Sequence, residues 1–120
     1  MYIHGMDEQI YEKAARYFKA LDHPARLHIL ATLRYGEQCV CHLEALLDRP
    51  QAYVSQQLAI LRAAGLVRDR KEGQRVYYAI ADERLPSLLD LLLSEALQRA
   101  SAPRQLLECR CPACQVAVAA

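Results

Sequence analysis

Residues 39–50 read CVCHLEALLDRP and residues 51–64 read QAYVSQQLAILRAA, and the rest of the chain is arranged around these two segments. Apolar residues recur in both segments at helical spacing, at Leu43, Leu46, Leu47, Val54, Leu58 and Leu61. That spacing predicts two short amphipathic helices, and the proline at the junction predicts a break between them. Two short helices around a tight break, the second polar on its outer face, are typical of a helix-turn-helix.

Two more helices are predicted ahead of this motif, over residues 7–21 and 24–34. Both carry apolar residues at helical spacing. Asp22 followed by Pro24 marks the start of the second helix, because proline is favoured in the first turn of a helix.

A β-hairpin is predicted directly after the helix-turn-helix. Residues 66–71 and 74–80 are rich in β-forming side chains and flank Glu72-Gly73, a turn that carries glycine. A hairpin in this position is a wing. The predicted fold class is therefore mainly α with a small β-hairpin, a winged helix-turn-helix.

The last predicted helix, over residues 85–99, carries an apolar stripe wider than one small domain usually needs from a surface helix. The stripe consists of Leu85, Leu88, Leu89, Leu91, Leu92, Leu93, Ala96 and Leu97. A chain of 120 residues offers little mass to cover such a helix, so the stripe predicts a dimer interface; the alternative is a buried terminal helix in a monomer. The predicted division is a DNA-binding and dimerising domain over 1–100 and a cysteine-bearing tail over 101–120.

Composition narrows the class of protein. With 53% hydrophobic and 24% charged residues the chain is globular, and its net charge of +1 means that any nucleic-acid binding must rest on local basic patches. It has neither a cleavable leader pattern nor an apolar run long enough to cross a membrane. A cytoplasmic protein with no membrane partner is expected.

The five cysteines fall in two clusters, Cys39 with Cys41 and Cys109 with Cys111 and Cys114. The odd number is unsuited to a secreted disulfide framework, and clustered thiols in a reducing compartment predict metal or redox chemistry. Thiolates are soft ligands that select zinc, cadmium, lead, copper(I) or trivalent arsenic and antimony over hard cations. Because Cys39 and Cys41 are two positions apart, they can share an ion only where the chain is not helical.

In a helix-turn-helix the second helix lies in the major groove, with its amino-terminal residues at the base edges. The predicted base-facing side chains are Gln51, Ser55, Gln56 and Gln57. Glutamine pairs bidentately with adenine, which hints at A·T pairs in the target. The predicted phosphate contacts are Arg49 and Tyr53 beside that helix and Arg68, Arg70, Lys71 and Arg75 in the wing.

Several motifs together closely resemble the ArsR/SmtB family of metal-sensing repressors. They are LDHPARLHIL at 21–30, CVCHL at 39–43, SQQL at 55–58, LRAAGLV at 61–67 and EGQRVYY at 72–78. The resemblance covers roughly residues 10–100. It implies a homodimer paired through its first and last helices, which represses from double-stranded operator DNA and leaves it when an inducer binds.

The fold alone does not identify that inducer, but the clustered thiolates predict a thiophilic metal or metalloid ion, bound at Cys39 and Cys41. Relatives with this signature often have a third cysteine three residues further on, but Glu44 stands there in this chain, so the compact three-thiol arsenic site is not reproduced. His42 replaces a residue that is usually acidic, and is either an accessory ligand or a solvent-facing histidine.

The tail cysteines Cys109, Cys111 and Cys114 are predicted to supply the missing ligands. The roughly ten residues after Arg99 reach about 33 Å when extended, enough to bring the tail to the first cluster of either protomer. Three thiolates suit As(III) or Sb(III) and four suit Cd(II), Pb(II) or Zn(II); five cysteines allow both, with a slight preference for arsenic or antimony from the resemblance.

Three alternatives use the same cysteines. The first is a repressor that responds to thiol oxidation or persulfide, with Cys39 or Cys41 pairing to a tail thiol. The second is a DNA-binding module whose tail holds a structural zinc. The third, a dithiol oxidoreductase using Cys111-Pro112-Ala113-Cys114, is disfavoured because that motif lies in a tail without a βαβ pattern, so no enzyme is expected.

Overall fold

The computed structural model describes the backbone of residues 4–100 and the side chains of residues 7–94. The helices are α1 (His4–Leu21), α2 (Pro24–Leu33), α3 (Val40–Leu47), α4 (Gln51–Ala63) and α5 (Leu85–Ala100). The strands are β1 (Gln38–Cys39), β2 (Val67–Glu72) and β3 (Arg75–Ile80). The predicted fold class, mainly α with a small hairpin, is confirmed.

Local chemistry sets where the central helices begin. The N-cap of α2 is His23, since its ring Nδ1 accepts a hydrogen bond from the backbone N–H of Ala25 at 3.2 Å. Cys39 caps α3 in the same manner, with an extended backbone and its Sγ accepting from the N–H of His42. Asp48 ends α3 in a left-handed conformation at φ 52°, which aspartate tolerates better than most residues.

The sheet has three antiparallel strands in the order β1-β3-β2. Strands β2 and β3 form the predicted wing, joined by Gly73-Gln74 with Gly73 at φ 62°, and Glu72 pairs with Arg75 beside the turn. The sequence did not indicate β1, whose residues Gln38 and Cys39 pair with Tyr78 and Tyr77. The first cysteine is therefore also a residue of the wing sheet.

One apolar core joins the helices to the base of the sheet. Its fully buried members include Ile29, Leu30, Leu43, Val54, Leu58, Leu61, Leu66, Leu85 and Leu89. Since α4 turns its valine and leucines inward against this core, the opposite face of that helix is presented to solvent.

Helices α1 and α5 leave apolar side chains uncovered. The large exposed ones on these helices are Ile10, Tyr11, Phe18, Leu91 and Leu92, with Leu91 81% exposed. The backbone of α5 is kinked at Leu93, where φ is −123° and ψ is 24°. This apolar face lies on the two helices that the sequence predicts to pair in a dimer.

Candidate DNA-binding surface and cysteine site

The outer face of α4 carries most of the predicted base contacts. Gln51, Ser55 and Gln56 are exposed there, next to one another along the first two turns of the helix. Just before the helix, the guanidinium carbon of Arg49 lies 4.8 Å from the centroid of the Tyr53 ring. Stacking of this kind holds a guanidinium in place while its edge stays available for a phosphate.

Gln57 lies on the opposite side of α4 and is only 6% exposed. Its Oε1 accepts a hydrogen bond from Nη1 of buried Arg26 at 2.9 Å. The same guanidinium donates from Nε to the carbonyl oxygen of Ala20 at 2.6 Å and from Nη2 to that of Lys19 at 3.3 Å. The prediction that Gln57 contacts DNA is corrected accordingly: its amide is used to satisfy a buried arginine that ties the end of α1 to α4.

The predicted basic residues of the wing are all exposed, at Arg68, Arg70, Lys71 and Arg75. Arg70 is held by two carboxylates: Nη2 and Nε contact Glu37 at 2.6 and 3.0 Å, and Nη1 contacts Glu72 at 2.7 Å. Hydrogen bonds from Arg70 lower the pKa of Glu37 below its ordinary value. Arg68 donates to the carbonyl oxygen of Ile80 at 3.2 Å, which leaves the tip of the wing to Lys71 and Arg75.

Cys39 and Cys41 lie together at the start of the helix-turn-helix and are joined by a disulfide, with their Cα atoms 5.4 Å apart. The requirement for a non-helical segment is met, because Cys39 belongs to β1 and only Cys41 lies within α3. Cys39 is buried and Cys41 is partly exposed. His42 is buried at 2% exposure, so it is not solvent-facing.

A cavity of about 310 Å³ is lined both by the cysteines and by residues that are predicted to contact DNA. Its lining comes from the start of α3, the start of α4 and the wing: Cys39, Val40, Cys41, Glu44, Gln51, Ser55, Gln74, Arg75, Val76 and Tyr78. Anything bound to the cysteine sulfurs on this side is therefore within a few side chains of the predicted reading residues.

Within the side chains that the structure describes, no group of three or more His, Cys, Asp and Glu residues is arranged to hold a metal ion. Two sulfurs are the chemistry of a soft ion but are fewer ligands than such an ion takes. The tail residues Cys109, Cys111 and Cys114 lie outside the described residues. None of the described helices is long and apolar enough to cross a membrane.

A helix-turn-helix with an exposed polar face, followed by a hairpin with basic residues, is the architecture of a winged helix-turn-helix DNA-binding regulator. Residues 23–69 match the sequence model described as the bacterial regulatory protein, arsR family. The chain belongs to this ArsR family.

Curated relatives agree with that membership. An uncharacterised HTH-type transcriptional regulator of Methanocaldococcus jannaschii is 45% identical over 83 residues, 68% of this chain and 93% of the relative. The biofilm growth-associated repressor of Agrobacterium fabrum is 45% identical over 74 residues, with 62% of this chain and 63% of that protein covered. The arsenical resistance operon repressor of Escherichia coli is 40% identical over 80 residues, covering 66% and 68%.

Solved structures show the same architecture. Reduced HlyU from Vibrio cholerae superposes with a TM-score of 0.67 at 36% identity, over 73% of this chain and 96% of that one. A homodimeric winged helix-turn-helix DNA-binding domain from Mycobacterium bovis, a possible ArsR-family regulator, gives a TM-score of 0.71 at 31% identity, covering 82% and 92%.

Proposed function

We propose that this protein is a homodimeric transcriptional repressor that is released from operator DNA when a thiophilic metal or metalloid ion binds Cys39 and Cys41. The observation that carries the proposal is the position of the paired sulfurs, which lie at the start of the helix-turn-helix and line a cavity with the reading residues Gln51 and Ser55. A ligand at these sulfurs would act directly on the DNA-binding surface.

DNA binding is supported by the described surface. Gln51, Ser55 and Gln56 would face the bases, while Arg49 with Tyr53 and the wing residues Lys71 and Arg75 would hold phosphates. Two such surfaces, one per protomer, would read two half-sites. The M. bovis relative is described as a homodimer, and the uncovered apolar face of α1 and α5 supplies the corresponding surface here.

The choice of inducer follows from the ligands. Once reduced, Cys39 and Cys41 offer two thiolates to one soft ion, and tail cysteines would complete three or four ligands. Trivalent arsenic and antimony need three, and the E. coli relative is named for arsenical resistance. We therefore place arsenite and antimonite first, with cadmium, lead and zinc as the four-thiolate alternatives.

The test is release from DNA. The full-length reduced protein is bound to fluorescent DNA from upstream of its own gene, and anisotropy is followed as arsenite, antimonite, cadmium, lead or zinc is added. We expect loss of DNA binding with at least one of these ions under reducing conditions. Unchanged binding with all five would refute metal sensing.

Two substitutions at the first cysteine separate ligation from folding. In Cys39→Ser a hydroxyl can still accept the hydrogen bond from the N–H of His42, so the cap of α3 is kept while the thiolate is lost. We expect this variant to bind DNA and to ignore the ion. Cys39→Ala loses both the thiolate and the acceptor that caps α3. A decrease in DNA binding in this variant alone would show that the cap, and not the thiolate, is needed for DNA binding.

A second candidate function is favoured by the disulfide between Cys39 and Cys41, since an oxidised pair cannot serve as thiolate ligands. The protein would then respond to oxidants or persulfides, and with peroxide the two thiols and one H₂O₂ give one disulfide and two waters. Within the described residues the bond joins the two clustered thiols, in place of the predicted bond to a tail thiol. Release by peroxide or polysulfide, with no effect of any ion on the reduced protein, would select this function.

A further inference from the structure

The cysteine pair and the wing are connected by one row of residues across the sheet. Cys39 of β1 pairs with Tyr77 of β3, and Tyr77 pairs with Arg70 of β2. Residues that are directly opposite in neighbouring strands project from the same face of the sheet. The three side chains therefore lie side by side, leading from the cysteine site to a basic residue of the wing.

Each step of this row is a contact. Tyr77 is buried in a small cluster with Cys39, and Cys41 packs against the same cluster. On its other side the ring meets Arg70, whose guanidinium carbon is 4.7 Å from the ring centroid. A change in the position or bonding of Cys39 thus alters the packing of the ring on which the arginine is stacked.

The guanidinium of Arg70 is already bound by two carboxylates of the protein. Glu37 binds it through two nearly parallel hydrogen bonds of 2.6 and 3.0 Å, and Glu72 takes the third nitrogen at 2.7 Å. This fork is the arrangement that arginine also uses to bind a phosphate. Glu37 lies two residues before Cys39 and immediately precedes β1, so the competing carboxylate adjoins the strand that carries the cysteine.

We propose that Arg70 exchanges between Glu37 and a DNA backbone phosphate, and that the row Cys39–Tyr77–Arg70 sets this exchange according to the state of the cysteine pair. With the cysteines joined, as in this structure, Arg70 is bound to the carboxylates and the wing loses one phosphate contact per protomer. When the two cysteines are reduced, the packing of Tyr77 changes, and Arg70 leaves Glu37 and binds a DNA phosphate. The inference rests on the proposed function, because it explains how that sensing site acts on DNA.

The experiment compares Glu37→Gln with Asp69→Asn in the full-length protein. Both variants remove one carboxylate that pairs with an arginine next to the DNA surface, since Asp69 binds Arg62 at 3.1 Å. Asp69 projects from the opposite face of the sheet and serves as the control for charge. DNA affinity is measured against salt for each protein after treatment with a reducing agent, with hydrogen peroxide and with arsenite.

In the wild type, we compare the slope of log affinity for DNA against log salt concentration. Its magnitude should be smaller by about 0.9 per protomer in the protein with the Cys39–Cys41 disulfide than in the reduced protein, which is the value for one phosphate contact. Glu37→Gln should reduce this difference, because Glu72 is then the one remaining described carboxylate that competes with DNA for Arg70. Asp69→Asn should shift both states equally. A Glu37→Gln protein that behaves like Asp69→Asn, while the wild type still responds, overturns the exchange and leaves the proposed function intact.

Variants of Tyr77 test the row itself. Tyr77→Phe keeps the ring and should keep the response, whereas Tyr77→Leu keeps an apolar side chain without the ring and should lose most of it. Equal responses in both variants would show that the ring does not transmit the signal. A wild type with no response to peroxide or to any ion would refute the proposed function, and the exchange with it.

Discussion

At the scale of single residues, the most informative contrast is between Gln56 and Gln57, neighbours in the chain with opposite environments. Gln56 is exposed on the outer side of α4, and Gln57 is buried against Arg26. A buried guanidinium without its acceptors is costly, because the desolvation of its donors is no longer compensated. The two positions should therefore respond differently to the same substitution.

We predict that Gln57→Leu lowers the free energy of unfolding by about 1–3 kcal/mol, the cost of leaving a buried donor unpaired. Gln56→Leu should leave stability within about 0.5 kcal/mol, as for an ordinary surface change, and should weaken binding to operator DNA instead. Urea unfolding of the reduced proteins gives the first quantity and anisotropy the second. Equal stability of the two variants would contradict the assigned role of Gln57.

The misassigned glutamine shows what a sequence can reveal at this scale. Gln57 is three residues after Val54 and four before Leu61, so it falls on the buried stripe of α4, and that spacing could have identified it. Its partner could not have been found in this way. Arg26 is 31 positions earlier in the chain, and only the packing of α2 against α4 brings the two together.

At the scale of elements, helices were predictable and the shortest strand was not. The periodic apolar residues placed all five helices within a few residues of their observed bounds. Strand β1 has two residues, too few for any alternating pattern, and exists because β3 presents an unpaired edge beside it. The row from Cys39 through Tyr77 to Arg70, and the pairing of Glu37 with Arg70, were therefore invisible in the sequence.

The junction between β3 and α5 gives a prediction about pH. The Asp82 carboxylate accepts hydrogen bonds from Nε and Nη2 of Arg84 at 3.1 and 2.9 Å and from its backbone N–H at 2.9 Å. These bonds hold the pKa of Asp82 below its ordinary value. A lowered pKa in the folded state means that the carboxylate stabilises the fold above its unfolded pKa of about 3.9 and loses this effect as pH falls through the folded pKa.

We predict that Asp82→Asn melts at a lower temperature than the wild type near pH 7, and that the two melting temperatures converge as the pH falls through the lowered pKa of Asp82. Thermal unfolding at a series of pH values measures this. Glu83→Gln, a change of the same charge at the exposed neighbouring residue, serves as the control. A difference between wild type and Asp82→Asn that stays constant across the whole range would contradict the role of the carboxylate.

At the scale of the whole molecule, the apolar side chains of α1 and α5 stay exposed to solvent in the single chain. Ile10, Tyr11 and Phe18 on one helix and Leu91 and Leu92 on the other are all more than half exposed. An apolar cavity of about 310 Å³ between these helices, lined by residues such as Phe18 and Leu92, adds depth to the face. Exposed apolar side chains gathered on two helices mark an interaction site, and a second copy of the same surface is the self-complementary partner that we propose.

We predict that Leu91→Glu converts the proposed dimer to a monomer over the micromolar range. The substitution should raise the dimer dissociation constant on the order of 30-fold or more, as expected for the loss of an interface hot spot. Ile60→Glu places the same charge at an exposed apolar residue of α4 and should leave the dimer intact. Sedimentation velocity measures both. Since a monomer contacts one half-site, Leu91→Glu should also lose most of its affinity for operator DNA while keeping its fold. A Leu91→Glu protein that still sediments as a dimer would show that the dimer interface does not involve this part of α5.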